Sequence, residues 1–186
     1  MATLRTFICI ELSEKVRERI AELQQQLKPL GSGVSWTRPE GIHLTLKFLG
    51  DIESARVADI AGAVERAAQG VAPFRITVAG TGGFPNLSRP RVLWVGIESS
   101  ASALFVVQSQ IEIELARLGY PREERRFSPH LTLGRVKSPE AVREICRELQ
   151  QRSFAPVTFT AGSIIIMRSD LKPDGALYTP LRTIEL

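Results

Sequence analysis

The apolar positions of this chain change period repeatedly, and each change predicts an element. The short apolar run Phe7-Ile8-Cys9-Ile10 predicts a buried strand over 6–12. Ser13 then offers an N-cap, and Val16, Ile20, Leu23, Leu27 and Leu30 recur at helical spacing until Pro29 and Gly31 end the helix. A loop at 36–39 leads to an expected strand over 42–49 and a turn at Gly50-Asp51. A helix follows over 53–68, with Val57, Ile60, Ala61, Val64 and Ala68 facing inward. Residues 74–78 alternate as a half-buried strand. Residues 80–86 read as a plain loop: they are rich in glycine, but no helix follows and no Lys-Ser/Thr closes a phosphate cradle.

The second half repeats the alternation. A strand is predicted over 91–97 and a helix over 101–118 on Leu104, Val107, Ile111, Leu115 and Leu118. A charged loop at 122–126 precedes a strand over 130–136. Ser138-Pro139-Glu140 then opens a helix that runs to about Arg152. Closing strands are expected over 157–168 and 176–184, joined by a breaker-rich turn at 170–175. This mixed order predicts an α+β fold of two sheet-and-helix lobes. With 186 residues and no evident linker, a single domain over 1–186 is expected, its lobes sharing an interface.

Composition changes this picture little. A net charge of +4 favours anionic ligands mildly, and a dispersed, solvated basic surface explains it as well. Cys9 falls in an apolar run and Cys146 in a helical pattern, with no metal-site spacing, which points to a reducing compartment. The N-terminal apolar run is too short for a signal segment, and no run reaches membrane-spanning length. A soluble, cytoplasmic protein is expected.

Candidate chemistry comes from one tetrapeptide. The chain has 2 histidines, and both open a His-Leu-Thr-Leu: residues 43–46 and 130–133. With Leu at 20 and Thr at 11 of 186 positions, a given histidine meets Leu-Thr-Leu by chance less than about once in a thousand. The copies lie 130 − 43 = 87 residues apart, which suggests a duplicated lobe and a site built from both halves. In a strand, His43, Thr45 and Lys47 would project together, as would His130 and Thr132, with the leucines packed behind. Two imidazoles, titrating near ~6.5 when unperturbed, can supply one base and one acid at the same pH. Two hydroxyls and a nearby cation can seat an anion. That set suits metal-free phosphodiester cleavage. Two histidines without a third His or clustered Cys or carboxylates fall short of a zinc site. A Ser-His-Asp enzyme would want a nucleophile elbow, and an RNA-binding module more aromatics than 6%.

Paired His-x-Thr-x motifs half a chain apart resemble the 2H phosphoesterase superfamily. The stretches 5–10, 36–40, 43–50, 90–96 and 127–135 are similar to its RNA 2′,3′-cyclic phosphodiesterase branch, also called 2′-5′ RNA ligase. The resemblance implies two pseudo-symmetric lobes, each an antiparallel-type sheet with helices outside, around a central cleft. It implies hydrolysis of RNA 2′,3′-cyclic phosphate ends to 2′-phosphomonoesters without metal or other cofactor, with 2′-5′ ligation as the reverse. On it, His130 is the proton acceptor and His43 the proton donor, and Thr45 and Thr132 hold phosphate oxygens. Arg135 is a further candidate phosphate contact, provided a bulge at Gly134 turns it to the histidine face. Lys47 is either a phosphate contact or a rim charge. Phe48 and Phe127 could stack a base, with core packing the plainer expectation. The expected partner is an oligoribonucleotide with a cyclic phosphate end, bound by a monomer. Another cyclic phosphate, such as ADP-ribose 1″,2″-cyclic phosphate, and an RNA-binding protein with a vestigial site remain as alternatives.

Overall fold

The structure, a computed structural model, describes residues 2–98, 102–172 and 175–186. Among these, the chain forms β1 (Thr3–Glu11), α1 (Glu14–Leu27), β2 (Val34–Trp36), β3 (His43–Glu53), α2 (Val57–Ala68), β4 (Phe74–Phe84) and β5 (Val92–Ile97). It continues with α3 (Ser102–Arg117), β6 (His130–Val136), α4 (Arg143–Gln151), β7 (Val157–Ala161), β8 (Ser163–Lys172) and β9 (Gly175–Glu185). The strands make two antiparallel sheets, ordered β3-β1-β8-β9 and β2-β6-β5-β4-β7. This is the α+β, two-lobed architecture the pattern predicts.

The lobes are not the two halves of the sequence. The first sheet takes β1 and β3 from the start of the chain and β8 and β9 from its end. Helices cross as well: α1 follows β1 but packs toward β7 of the second sheet, and α3 follows β5 but packs on β3 of the first. Burial drives the exchange. Val16, Ile20 and Leu27 of α1, and Leu104, Val107, Ile111 and Leu115 of α3, are fully enclosed in a hydrophobic cluster that runs through both lobes. Leu44 and Leu46 of β3 and Leu131 and Leu133 of β6 join that cluster, so the leucines of each motif anchor its strand.

Several breaks expected from glycine are absorbed inside strands. Gly50 (φ 74°) and Gly80 (φ 69°) adopt left-handed backbone, yet β3 and β4 run through them, because each sits where the ladder skips a residue. The expected turn at Gly50-Asp51 and the loop from Gly80 are thus bulges in long strands, and the loop proper begins after Phe84. The single strand expected over 157–168 is divided at Gly162, where the chain passes from β7 in the second sheet to β8 in the first. Within the turn expected at 170–175, strand persists to Lys172 and resumes at Gly175, and 173–174 lie outside the described residues, as does the helix start expected at 101. Both cysteines are free and buried. No helix among the described residues is long and apolar enough to cross a membrane.

Two glycines separate packing from chain entropy. A Cβ on Gly134 would lie 2.5 Å from Cγ1 of Val34 and 2.9 Å from the Ser35 carbonyl oxygen, whereas one on Gly162 meets nothing within 4 Å. Gly134→Ala is expected to cost about 1–3 kcal/mol. Gly162→Ala is expected to leave stability unchanged or raise it by up to roughly 1 kcal/mol. Urea denaturation midpoints at constant m-value check both.

Candidate active site

His43 opens β3 at an edge of the first sheet, and His130 opens β6 inside the second. The two strands approach one another between the lobes. A cavity of about 160 Å³ lies there, lined by His43, Thr45, His130, Thr132, Arg135, Thr37 and Tyr178 among others. The structure therefore brings together five of the six side chains expected to carry protons or contact phosphate.

Both imidazoles are held in the same way. Nδ1 of His43 is 2.9 Å from the Gly41 carbonyl oxygen, and Nδ1 of His130 is 2.8 Å from that of Ser128. A carbonyl only accepts, so Nδ1 carries the proton in each ring and Nε2 is the free nitrogen. The ring environments differ. His43 stacks on Phe7 (centroids 4.4 Å apart) and meets the edge of Tyr178 at 5.1 Å, whereas His130 has Phe84 edge-on at 4.8 Å. Burial pushes the His43 imidazole down to about 4, against a small upward pull from its bond to Gly41. Burial also pushes the Tyr178 phenol up, with the Arg135 guanidinium pulling the other way, so Tyr178 stays a neutral donor at pH 7.

Each motif contains a bulge that reassigns the residues after it. On β6, Trp94 pairs with Thr132 and Leu93 with Gly134, which leaves Leu133 without a partner on β5. Paired residues share a face, so His130, Thr132 and Arg135 all lie on the face of Gly96, Trp94 and Val92. Arg135 reaches the cavity by the device its position required, with the extra residue at Leu133 rather than Gly134. On β3, Thr45 pairs with Cys9 and Lys47 with Ile8, so Leu46 is extra. Here the bulge overturns the expectation for Lys47. That residue turns to the core side with Ile8, is 7% exposed, and its Nζ lies 2.6 Å from Oε2 of Glu112 and 2.8 Å from the Pro121 carbonyl oxygen. Its charge is committed to a buried ion pair, not to the face of His43 and Thr45. Phe48 takes the vacated direction. Instead of joining the core it is 51% exposed, with the Arg5 guanidinium 4.6 Å from its ring centre. Phe127 is half-buried, meets Phe105 edge-on at 5.8 Å and packs against the core cluster.

A larger groove of about 720 Å³ opens from the cavity and shares Thr45 and His130 with it. Arg122, Arg125 and Arg126, with Phe48, Phe84 and Phe127, line it alongside Glu112 and Glu123. Sequence reading missed Tyr178, Thr37, Phe7 and Phe84. Tyr178 arrives on a strand more than a hundred residues from His43, and nothing local marks it.

Among the described residues no three His, Cys, Asp or Glu side chains cluster as a metal site would need. Compared with known proteins, the chain matches the family model described as LigT like phosphoesterase twice, over residues 10–94 and 95–178. It is 33% identical over 186 residues to the RNA 2′,3′-cyclic phosphodiesterase of Methanothermobacter thermautotrophicus, covering 98% of this chain and 99% of that one. It is 34% identical to the protein of the same name from Thermotoga maritima, covering 96% and 93%. A crystal structure of a Thermus thermophilus protein superposes with a TM-score of 0.83 at 31% identity, covering 98% of each chain. E. coli LigT complexed with 3′-AMP shares the fold, with a TM-score of 0.77 at 23% identity over 100% of this chain and 99% of that one.

With 2 histidines in the chain, proton NMR of the imidazoles resolves both. In the free protein His43 should titrate near 4 and be neutral at pH 7. An anion in the cavity favours the imidazolium, so added inorganic phosphate should move the His43 midpoint upward. An unchanged midpoint at saturating phosphate would detach the ring from the anion site.

Proposed function

This chain belongs to the LigT-like phosphoesterase family, and from that premise we propose that it hydrolyses RNA 2′,3′-cyclic phosphate ends to 2′-phosphomonoesters without a metal. The observation that carries the reading is a small cavity lined by both histidines, Thr45, Thr132 and Arg135, with each ring held through Nδ1 so that Nε2 is left for chemistry.

Chemistry follows from what surrounds that cavity. The cyclic phosphate is an anion, and the Thr45 and Thr132 hydroxyls, the Tyr178 phenol and the Arg135 guanidinium supply donors for its non-bridging oxygens. Nε2 of His130 takes the proton of a water whose oxygen attacks phosphorus. As the new P–O bond forms, the bond from phosphorus to O3′ breaks, and Nε2–H of His43 protonates O3′. The 2′-phosphate stays on the ribose. Depressed by burial, His43 is a poor proton holder when the cleft is empty, and a bound anion raises its hold on a proton so that it carries one to give to O3′. Substrate binding and arming of the acid are thus linked. Ligation is the same displacement and not its reverse: a 5′-hydroxyl in place of water attacks phosphorus, the bond to O3′ breaks, and a 2′-5′ link forms.

The groove beside the cavity accounts for a polymeric substrate. Its three arginines can follow a phosphate backbone, and the exposed Phe48 offers a ring to a base. The same reading takes the protein as a cytoplasmic monomer working as one unit over 1–186. One chain supplies both histidines, and the exchange of strands and helices between the lobes supports a single unit.

His43→Ala and His130→Ala should each lower turnover on an oligoribonucleotide ending in a cyclic phosphate by at least about 10². Circular dichroism should stay unchanged. Phosphorus NMR should identify a 2′-monoester product, formed equally well after EDTA. Full activity in either variant, or loss on chelation, contradicts the mechanism. Faster turnover of ADP-ribose 1″,2″-cyclic phosphate would keep the chemistry and change the substrate.

A further inference from the structure

We infer that Gln24 is a positioning residue of this site: its side-chain amide holds the Leu133 bulge in the register that turns Arg135 toward the phosphate. The inference rests on the reading of the cavity as a phosphate site.

A bulge removes one residue from the ladder and leaves its main-chain groups to find other partners. The Leu133 carbonyl oxygen accepts from the backbone N–H of Thr37 at 2.9 Å and from Nε2 of Gln24 at 2.9 Å. The other Nε2 hydrogen of Gln24 goes to the Thr37 carbonyl oxygen at 2.8 Å. One amide therefore clamps the bulge on β6 to the segment that carries the cavity-lining Thr37. Were Leu133 drawn back into the ladder, Arg135 would move to the opposite face of the sheet.

Gln24 is an unusual occupant of its position. It is 1% exposed within the apolar stripe of α1 between Ile20, Leu23 and Leu27, and its Oε1 has no hydrogen-bond partner among the described residues. An apolar residue would avoid that unpaired oxygen, so the position retains an amide for its two donors.

The other half repeats the device. On α3, Gln108 stands among Leu104, Val107 and Ile111 at the same spacing, 108 − 24 = 84 residues on. Its Nε2 lies 3.4 Å from the carbonyl oxygen of Leu46, the bulged residue of β3, and 3.3 Å from Oε1 of Glu112. Glutamine donates to the bulge in both halves, each time from a helix that crosses to the other lobe. On β6 the bulge presents Arg135, and on β3 it presents Phe48.

A double-mutant cycle between Gln24 and Arg135 tests this, read as kcat/KM on a cyclic-phosphate oligoribonucleotide. Gln24→Met should lower kcat/KM by about tenfold or more, and Arg135→Met by about 10–10². The double variant should be no worse than Arg135→Met alone, because Gln24 acts through that side chain. Gln108→Met combined with Arg135→Met should instead multiply, since Gln108 serves the other strand. If Gln24→Met does not fold, Gln24→Leu carries the same cycle, since leucine suits the apolar stripe of α1 and removes both donors. Multiplying losses for Gln24 and Arg135, or an Arg135→Met enzyme with full activity, overturn the inference while wild-type turnover upholds the proposed function. A wild type inactive on cyclic phosphate ends overturns both.

Discussion

The bond from each imidazole Nδ1 to the carbonyl two residues before it is the constraint on which the site depends. It fixes the tautomer, the orientation of the ring and the nitrogen left for chemistry. The carbonyls are available because neither lead-in segment can continue as regular strand. Gly41 closes a 3-10 turn over Pro39–Gly41, and Ser128 precedes Pro129, which has no N–H to offer a ladder. Once the ring is held, its surroundings set its character. Phe7 and Tyr178 enclose His43 and make its charged form costly, so that an anion in the cavity becomes a condition for protonating it.

How much of this was legible in the sequence depended on whether the signal was local. Alternation within His-Leu-Thr-Leu placed each His and Thr on one face and the leucines in the core, because period-2 patterning is local. It failed one residue later. Alternation sets Lys47 beside Thr45, but a bulge carries no hydrophobic signature of its own and reverses every face after it. Arg135 sat on the wrong face by simple alternation and on the right one after a bulge of the same kind. Gly50 and Gly80 marked positive φ correctly, yet glycine does not say whether left-handed backbone ends a strand or kinks it. The exchange of elements between lobes was beyond local reading, since no pattern tells a strand which sheet to join. Tyr178 came to the cavity through that exchange. Gln24 and Gln108 did leave a trace, an amide inside an apolar helical stripe, repeated at nearly the spacing of the motifs.

The duplicated scaffold is symmetric in its main chain and asymmetric in what it presents. Both strands carry His, Leu, Thr and a bulged Leu in the same order. They then diverge, with Lys47 and Phe48 on one side and Gly134 and Arg135 on the other. Gly134 is required because β2 packs against β6 at that point, leaving no room for a Cβ. The equivalent position on β3, an edge strand, has room for a long side chain, and a lysine there is neutralised by Glu112. That buried pair lends little net stability of its own, because desolvating two charges offsets most of their attraction. Its effect is to tie the bulged strand to α3 and leave the cavity's positive charge to Arg135.

Such asymmetry is what a directional reaction needs. Two identical imidazole-hydroxyl pairs about one phosphorus would bind a cyclic phosphate equally well in two orientations, and half of the encounters would place water on the wrong side. A guanidinium on the His130 side and an aromatic, enclosed wall on the His43 side make the two orientations unequal. On the proposed function, the phosphate oxygens are drawn toward Arg135, while the ribose and its base are left to Phe48 and the groove beside it. In this account duplication supplied the paired proton carriers, and the divergence of the two positions after each bulge decided which of them faces the leaving oxygen.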